Sequence, residues 1–139
     1  MPDIISPYIT KAEYACRCCG RLPEDIDTNF LYDELFDTFR FIREEWGKPI
    51  PITSGFRCPT HNQAIGGSPL SVHMMGLALD LDCADVREVI DLRSVIEDVA
   101  SEVRMGVYTN TGSFIHIDVG YLINPSVNPN WKEGVRWFK

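Results

Sequence analysis

Two of the three histidines stand where a metal ion could be bound. His73 follows a glycine-rich stretch and precedes a strand-like segment that contains Asp80, while His116 lies in a second strand-like segment. Imidazole nitrogens and carboxylate oxygens are ordinary zinc ligands, and a catalytic zinc site has three protein ligands and a position left for water. His73, Asp80 and His116 supply such a set, although each of them alone is more often a solvated or hydrogen-bonded side chain.

Five cysteines are the other candidate ligands. Residues 16–19 read Cys-Arg-Cys-Cys, whereas Cys58 and Cys83 stand apart. Without an export signal, reduced thiols are expected in place of a disulfide framework. A thiolate zinc site would need a fourth ligand and usually shows two separated cysteine pairs. We therefore expect small, buried or half-buried side chains around a turn that ends at Gly20, with a second zinc as the alternative.

Residues 71–80 read Ser-Val-His-Met-Met-Gly-Leu-Ala-Leu-Asp, and this segment resembles the M15 peptidase family. Its signature Ser-x-His-x-x-Gly-x-Ala-x-Asp is matched at every fixed position from Ser71 to Asp80. Ser54-Gly55-Phe56-Arg57 precedes the signature and His116-Ile117-Asp118 follows it, and the resemblance runs from about Tyr14 to Trp137. The family contains D-alanyl-D-alanine carboxypeptidases, dipeptidases and phage endolysins, and it shares a zinc core with the hedgehog signalling domain.

This resemblance implies a role for individual residues. His73, Asp80 and His116 would hold one zinc ion per chain. Arg57 would act in catalysis and substrate binding, because a planar guanidinium beside the metal can hold a carboxylate or carbonyl oxygen with two parallel hydrogen bonds. Ser71 would either contact the ligand shell and substrate or simply close its loop. The chain is therefore predicted to be a zinc metallopeptidase.

The predicted catalytic base is where the chain departs from several family members. Those members place a carboxylate three residues before the last ligand, and this chain has Ser113 there. A subgroup has His-x-Asp, as in His116-Ile117-Asp118 here. Side chains at positions i and i+2 of a strand share a face, so both can point into one cleft. Asp118 is the predicted base, and orientation of a zinc-bound histidine is its alternative role.

The reaction implied by the resemblance is hydrolysis of peptide bonds in bacterial peptidoglycan. The enzyme would be a D-Ala-D-Ala carboxypeptidase or an endopeptidase of cross-links or stems, such as a phage lysin, and stem peptides would be its partners. The alternatives are a non-catalytic binding module that keeps the zinc core, and a phage structural component. A three-ligand set beside Arg57 and Asp118 favours catalysis, since a structural zinc usually has four protein ligands.

A small α+β fold is predicted to position these residues. Apolar residues at helical spacing predict helices over about 25–46 and 85–103. Residues 1–24 are predicted to be irregular, and residues 55–70 to form a long loop with one helical turn. Short strands, of which the last two form a hairpin, are predicted at 51–54, 77–82, 106–108 and 114–119. We expect one domain over residues 1–139, with a mostly antiparallel sheet packed on two helices, and the resemblance implies a hedgehog-like arrangement.

The composition argues against several partners. A net charge of −7 and a pI near 4.8 disfavour nucleic acid, whose phosphates are bound by clusters of Lys and Arg. No apolar run approaches the roughly 20 residues of a membrane span. The first residues also lack the layout of a signal peptide. We expect a monomer that is cytoplasmic at synthesis and acts on the cell wall if it is released or delivered.

Overall fold

The computed structural model describes residues 3–124 and 126–139, and its architecture is α+β. The elements in chain order are β1 (Ile4–Ser6), β2 (Ile9–Thr10), α1 (Lys11–Tyr14), α2 (Leu31–Trp46), β3 (Ile52–Ser54), α3 (Pro59–Ala64), β4 (Ala78–Asp82), α4 (Val86–Val99), β5 (Arg104–Tyr108), β6 (Phe114–Asp118) and β7 (Arg136–Phe138). Within the described ranges, no helix combines the length and the apolar character that a bilayer crossing requires.

Five strands form one sheet in the order β3-β4-β6-β5-β7. Neighbouring strands are antiparallel except for β5 and β7, so the sheet is mostly antiparallel, as predicted. β6 lies at the centre, and its residue His116 stands opposite Asp80 of β4 on one side and Gly106 of β5 on the other. This register places two of the predicted metal ligands on adjacent strands at the same level.

The two faces of the sheet have different chemistry because successive side chains of a strand alternate. One face contributes apolar residues to a buried cluster that also contains the inner residues of α2 and α4. The strand residues of that cluster are Leu79, Leu81, Met105, Val107, Ile115 and Ile117. The opposite face carries Asp80, Arg104, His116 and Asp118. The period of two therefore puts the core on one side of the sheet and the polar candidates on the other.

Helix α2 is shorter than the predicted helix over 25–46. The Asp25 carboxylate accepts hydrogen bonds from the Tyr32 hydroxyl at 2.6 Å and from the Asn29 amide at 3.1 Å. Residues 25–29 consequently form turns before the helix, which spans Leu31–Trp46. Its end is as predicted, because Gly47 adopts a left-handed conformation with φ of 80°. The predicted helix over 85–103 likewise occupies only Val86–Val99.

The N-terminal segment is more regular than predicted. It contains β1, β2 and α1, and α1 begins with a reciprocal cap between Thr10 and Glu13. The Glu13 carboxylate also accepts a hydrogen bond from the Ile52 backbone N–H at 3.1 Å, which attaches the segment to β3. Tyr14 is fully buried and its hydroxyl donates to the Gly76 carbonyl. These contacts fasten the segment to β3 and to the backbone at Gly76.

The loop and the hairpin are close to their predictions. The loop over 55–70 contains the single short helix α3, and β5 and β6 form the hairpin. Strand β7 was not predicted, because its pairing partner β5 is distant in sequence and no alternation marks its three residues.

Gly106 allows the indole of Trp137 to lie across the sheet. A Cβ atom on Gly106 would stand 2.3 Å from Nε1 of Trp137, which is well inside contact distance. We expect Gly106→Ala to lower the free energy of unfolding by about 1–3 kcal/mol through overpacking, measured by denaturant unfolding. In a Trp137→Ala background, Gly106→Ala should change the free energy of unfolding only slightly. An equal cost in both backgrounds would show that the indole contact is not the cause.

Candidate metal centre and cleft

Three donor atoms converge on the polar face of the sheet. Nε2 of His73 lies 3.1 Å from Oδ1 of Asp80 and 3.2 Å from Nδ1 of His116, and the latter two atoms are 3.1 Å apart. Ligand atoms about 2.0–2.1 Å from a tetrahedral zinc ion are separated by about 3.3 Å. The donor types and their spacing therefore fit zinc. The structure brings together the three residues that the sequence singled out as ligands.

His73 is positioned by a 3₁₀ turn over Val72–Met75. The Ser71 hydroxyl accepts a hydrogen bond from the His73 backbone N–H at 3.2 Å, which caps the turn. Nδ1 of His73 lies 2.7 Å from the Gly55 carbonyl oxygen, which can only accept a hydrogen bond. Nδ1 must then carry the proton, so the lone pair of Nε2 faces the other two donor atoms. Ser71 thus closes its loop, and it also lines the cleft.

Asp118 contacts the far side of the His116 ring. Its Oδ2 lies 2.6 Å from Nε2 of His116 and 3.1 Å from Nη1 of Arg104, and its Oδ1 accepts from the Gly120 backbone N–H at 2.8 Å. The side chain is almost fully buried. A carboxylate in this position fixes the orientation and tautomer of a metal-binding imidazole. The contacts direct Nδ1 of His116 towards His73 and Asp80.

Burial and hydrogen bonds shift the pKa values of all three donor residues. Burial acts to lower the pKa of His116, but the hydrogen bonds with Asp118 and Asp80 raise it to about 9. Burial acts to raise the pKa of Asp80, but the neighbouring imidazoles of His73 and His116 hold it well below its usual range. Burial lowers the pKa of His73. The centre therefore combines an anionic carboxylate with two imidazoles, and a metal ion that binds at Nδ1 of His116 must displace the proton that these hydrogen bonds favour.

Arg57 stands beside the three donor atoms with its guanidinium held on three sides. Nε donates to the Ser54 hydroxyl at 3.0 Å, Nη1 to Oδ1 of Asn62 at 3.0 Å, and Nη2 to Oδ2 of Asp80 at 3.4 Å. The side chain is 11% exposed. A Cβ atom on Gly67 would lie 2.1 Å from Oδ1 of Asn62, so a glycine is needed where the loop passes the Asn62 side chain. The guanidinium is thereby held rigidly at the edge of the cleft.

The donor atoms lie in a cleft of about 500 Å³. Its lining includes Arg104, Tyr108 and Trp137, which were not singled out from the sequence. Nε1 of Trp137 donates to the Tyr108 hydroxyl at 2.9 Å, and the indole centroid lies 5.2 Å from that of the His116 ring. The predicted strand started at Gly106, although the alternation that puts Tyr108 on the polar face extends back to Arg104. No sequence pattern indicated Trp137, because it lies on strand β7, which was not predicted.

A family model described as Peptidase M15 matches residues 7–118. The matched range contains the three donor residues together with Arg57, Ser71 and Asp118, and it ends before Trp137. A comparison with curated proteins finds no match to this chain.

Proposed function

Because the chain belongs to the M15 peptidase family, we propose that it is a zinc metallopeptidase that hydrolyses peptide bonds in bacterial peptidoglycan. The observation that supports this proposal most strongly is the convergence of donor atoms from His73, Asp80 and His116 within 3.2 Å of one another, in an open cleft. Three protein ligands leave room for water and substrate, as in catalytic zinc sites. A non-catalytic zinc-core module of hedgehog type is the alternative, and the open cleft beside Arg57 disfavours it.

The chain would supply the ligands and the groups that position the substrate. Bound by His73, Asp80 and His116, zinc would polarise the scissile carbonyl and lower the pKa of water towards neutrality. Arg57 has five N–H bonds and uses three of them on Ser54, Asn62 and Asp80. The remaining ones can donate to an oxygen of the substrate as negative charge develops on it.

We assign Asp118 to the orientation of His116 in place of the predicted role as base. Its two oxygens already accept hydrogen bonds from His116, Arg104 and Gly120, and the side chain is almost fully buried. A base must reach the proton that it removes, whereas this carboxylate lies behind the His116 ring. The geometry supports the second of the two roles that the sequence left open.

The charge of the cleft supports a substrate with free carboxylates. Arg57, Arg104 and Lys139 line it, and its two lining carboxylates, Asp80 and Asp118, are both paired with arginine. The indole of Trp137 adds an apolar wall. Peptidoglycan stem peptides carry carboxylates at their ends and branch points, so this lining suits them despite the net charge of −7 for the whole chain.

Mass spectrometry of purified wall fragments tests the proposal. Zinc-loaded protein should convert stem peptides into product pairs whose masses sum to that of the substrate plus one water, and these masses name the bond that is cut. The His116→Ala variant serves as the control and should give no such pairs. Stem peptides that bind to the protein and are recovered intact would favour the non-catalytic module instead.

An Arg57→Lys variant tests the proposed contact with substrate. Lysine keeps the positive charge but loses the planar set of donors that reaches Ser54, Asn62 and Asp80 together. We expect zinc content to be unchanged and kcat/KM for peptide hydrolysis to fall by roughly a hundredfold. Arg40→Lys, at a more exposed position on α2, is the matched control and should retain full activity. Unchanged hydrolysis by Arg57→Lys would remove Arg57 from the site.

A further inference from the structure

Four cysteines converge at a second location, where α1 meets the loop before α3. We call Cys16, Cys18, Cys19 and Cys58 the cysteine cluster. Their four Sγ atoms all lie within 4.8 Å of one another. Cys18 Sγ is 3.6 Å from Cys16 Sγ and 3.4 Å from Cys58 Sγ. Sulfur ligands about 2.3 Å from a tetrahedral zinc ion are separated by about 3.8 Å, so the cluster has the dimensions of a four-thiolate site.

The backbone around the cluster is arranged to hold the sulfurs. Gly20, in a left-handed conformation with φ of 69°, closes a turn by donating its N–H to the Cys16 carbonyl at 2.8 Å. Cys58 caps the N-terminus of α3, where its Sγ accepts from the His61 backbone N–H at 3.4 Å. The Cys58 N–H in turn points at Cys16 Sγ at 3.4 Å. N–H groups directed at sulfur favour the thiolate, which is the form that binds metal.

The expectation of small, buried or half-buried cysteines around the turn that ends at Gly20 is met at Cys16 and wrong at Cys18 and Cys19. Cys16 is buried and Cys58 is half-buried, but Cys18 and Cys19 are exposed, so hydrophobic packing does not account for them. The turn that ends at Gly20 is present as predicted. What the sequence did not reveal is the fourth ligand: the loop that follows β3 brings Cys58 to the other three.

We propose that the cysteine cluster binds a second zinc ion in a closed structural site. It shares no ligand with His73, Asp80 and His116, and it revises the expected stoichiometry from one zinc per chain to two. A site with four protein ligands has no open position for substrate, so its role is to hold the chain together.

The position of the cluster shows what such an ion would hold. Cys58 directly follows Arg57, and the neighbouring Phe56 N–H donates to the Tyr14 carbonyl at 2.7 Å. The ion would therefore fasten the N-terminal segment to the loop that carries Arg57, at the edge of the cleft. This makes the cluster a support for the position of Arg57, with no ligand in common with the centre in the cleft.

Zinc counting on the purified, reduced protein tests the proposal. Elemental analysis should give two zinc ions per chain, and a Cys18→Ser/Cys19→Ser variant should retain one. Both side chains are exposed, so the substitution should leave the core intact. Cys83→Ala is the matched control, since Cys83 is the cysteine outside the cluster, and it should keep two. The His116→Ala variant should also retain one, which separates this site from the metal centre in the cleft.

Cobalt(II) substitution identifies the ligands without relying on a variant. Thiolate-bound cobalt should give near-ultraviolet charge-transfer absorption in the wild type and in His116→Ala, and this absorption should be absent from Cys18→Ser/Cys19→Ser. One zinc per chain in the wild type, without thiolate absorption, would overturn the proposal. So would intramolecular disulfides among the four cysteines, detected by alkylation and mass spectrometry of protein purified without reductant.

Discussion

Alanine in place of His116 is expected to remove zinc from the cleft and to reduce peptide hydrolysis by roughly a thousandfold or more. His116 supplies one of the three donor atoms, and the Lewis acid lost with the metal contributes several kcal/mol to transition-state stabilisation. His73→Ala and Asp80→Ala should behave in the same way, because each removes one ligand. Zinc content and hydrolysis rate are to be measured on the same preparations.

The chain offers a matched control for these variants. His61 lies on α3 and is the remaining histidine of the sequence, outside the three-donor set. The His61→Ala variant should retain the zinc content and the hydrolysis rate of the wild type. If His116→Ala kept the same zinc content and the same rate as the wild type, His116 would not be a ligand and the assignment of the centre would be wrong.

Asparagine in place of Asp118 is expected to lower zinc affinity by about 10–100-fold, with hydrolysis falling in step. The amide has a similar shape to the carboxylate but no charge, so it holds the Nε2–H of His116 less strongly. It also leaves Arg104 without its buried counter-ion. Zinc affinity is measured by competition with a chelator, and the hydrolysis rate is measured at the same sub-saturating concentrations of free zinc.

The outcome separates the two roles of Asp118. Loss of activity with unchanged zinc affinity would make Asp118 the base, and retention of both would exclude it from the mechanism. Asp82→Asn is the control, because Asp82 is exposed at the end of β4, two residues from Asp80. That variant should resemble the wild type in both measurements.

Periodicity was sufficient to predict the strands that carry Asp80 and His116, but not the 3₁₀ turn that carries His73. Strand β4 and the β5–β6 hairpin follow from alternation, and α2 and α4 follow from apolar spacing. The boundaries were missed where side-chain hydrogen bonds compete with the helix, as Asp25 does before α2. Strand β7 was missed because its pairing is set by tertiary contacts.

The site residues that could be predicted are those whose types and spacing match a recognisable pattern. His73, Asp80, His116 and Arg57 belong to a recognisable pattern, and the fold brings them together. The contacts of Asp118 depend on the orientation of its carboxylate. Arg104, on the neighbouring strand β5, helps to set that orientation by a hydrogen bond. Sequence spacing cannot encode such a contact, nor the approach of Cys58 to the other three cysteines of the cluster.

Removal and return of zinc tests the central claim most directly, which is that hydrolysis depends on a zinc ion held by His73, Asp80 and His116. Protein stripped by a chelator, with its zinc content measured, should not cleave stem peptides, and added zinc should restore cleavage in the wild type and in His61→Ala but not in His116→Ala. Full hydrolysis by protein that contains no zinc would contradict the account.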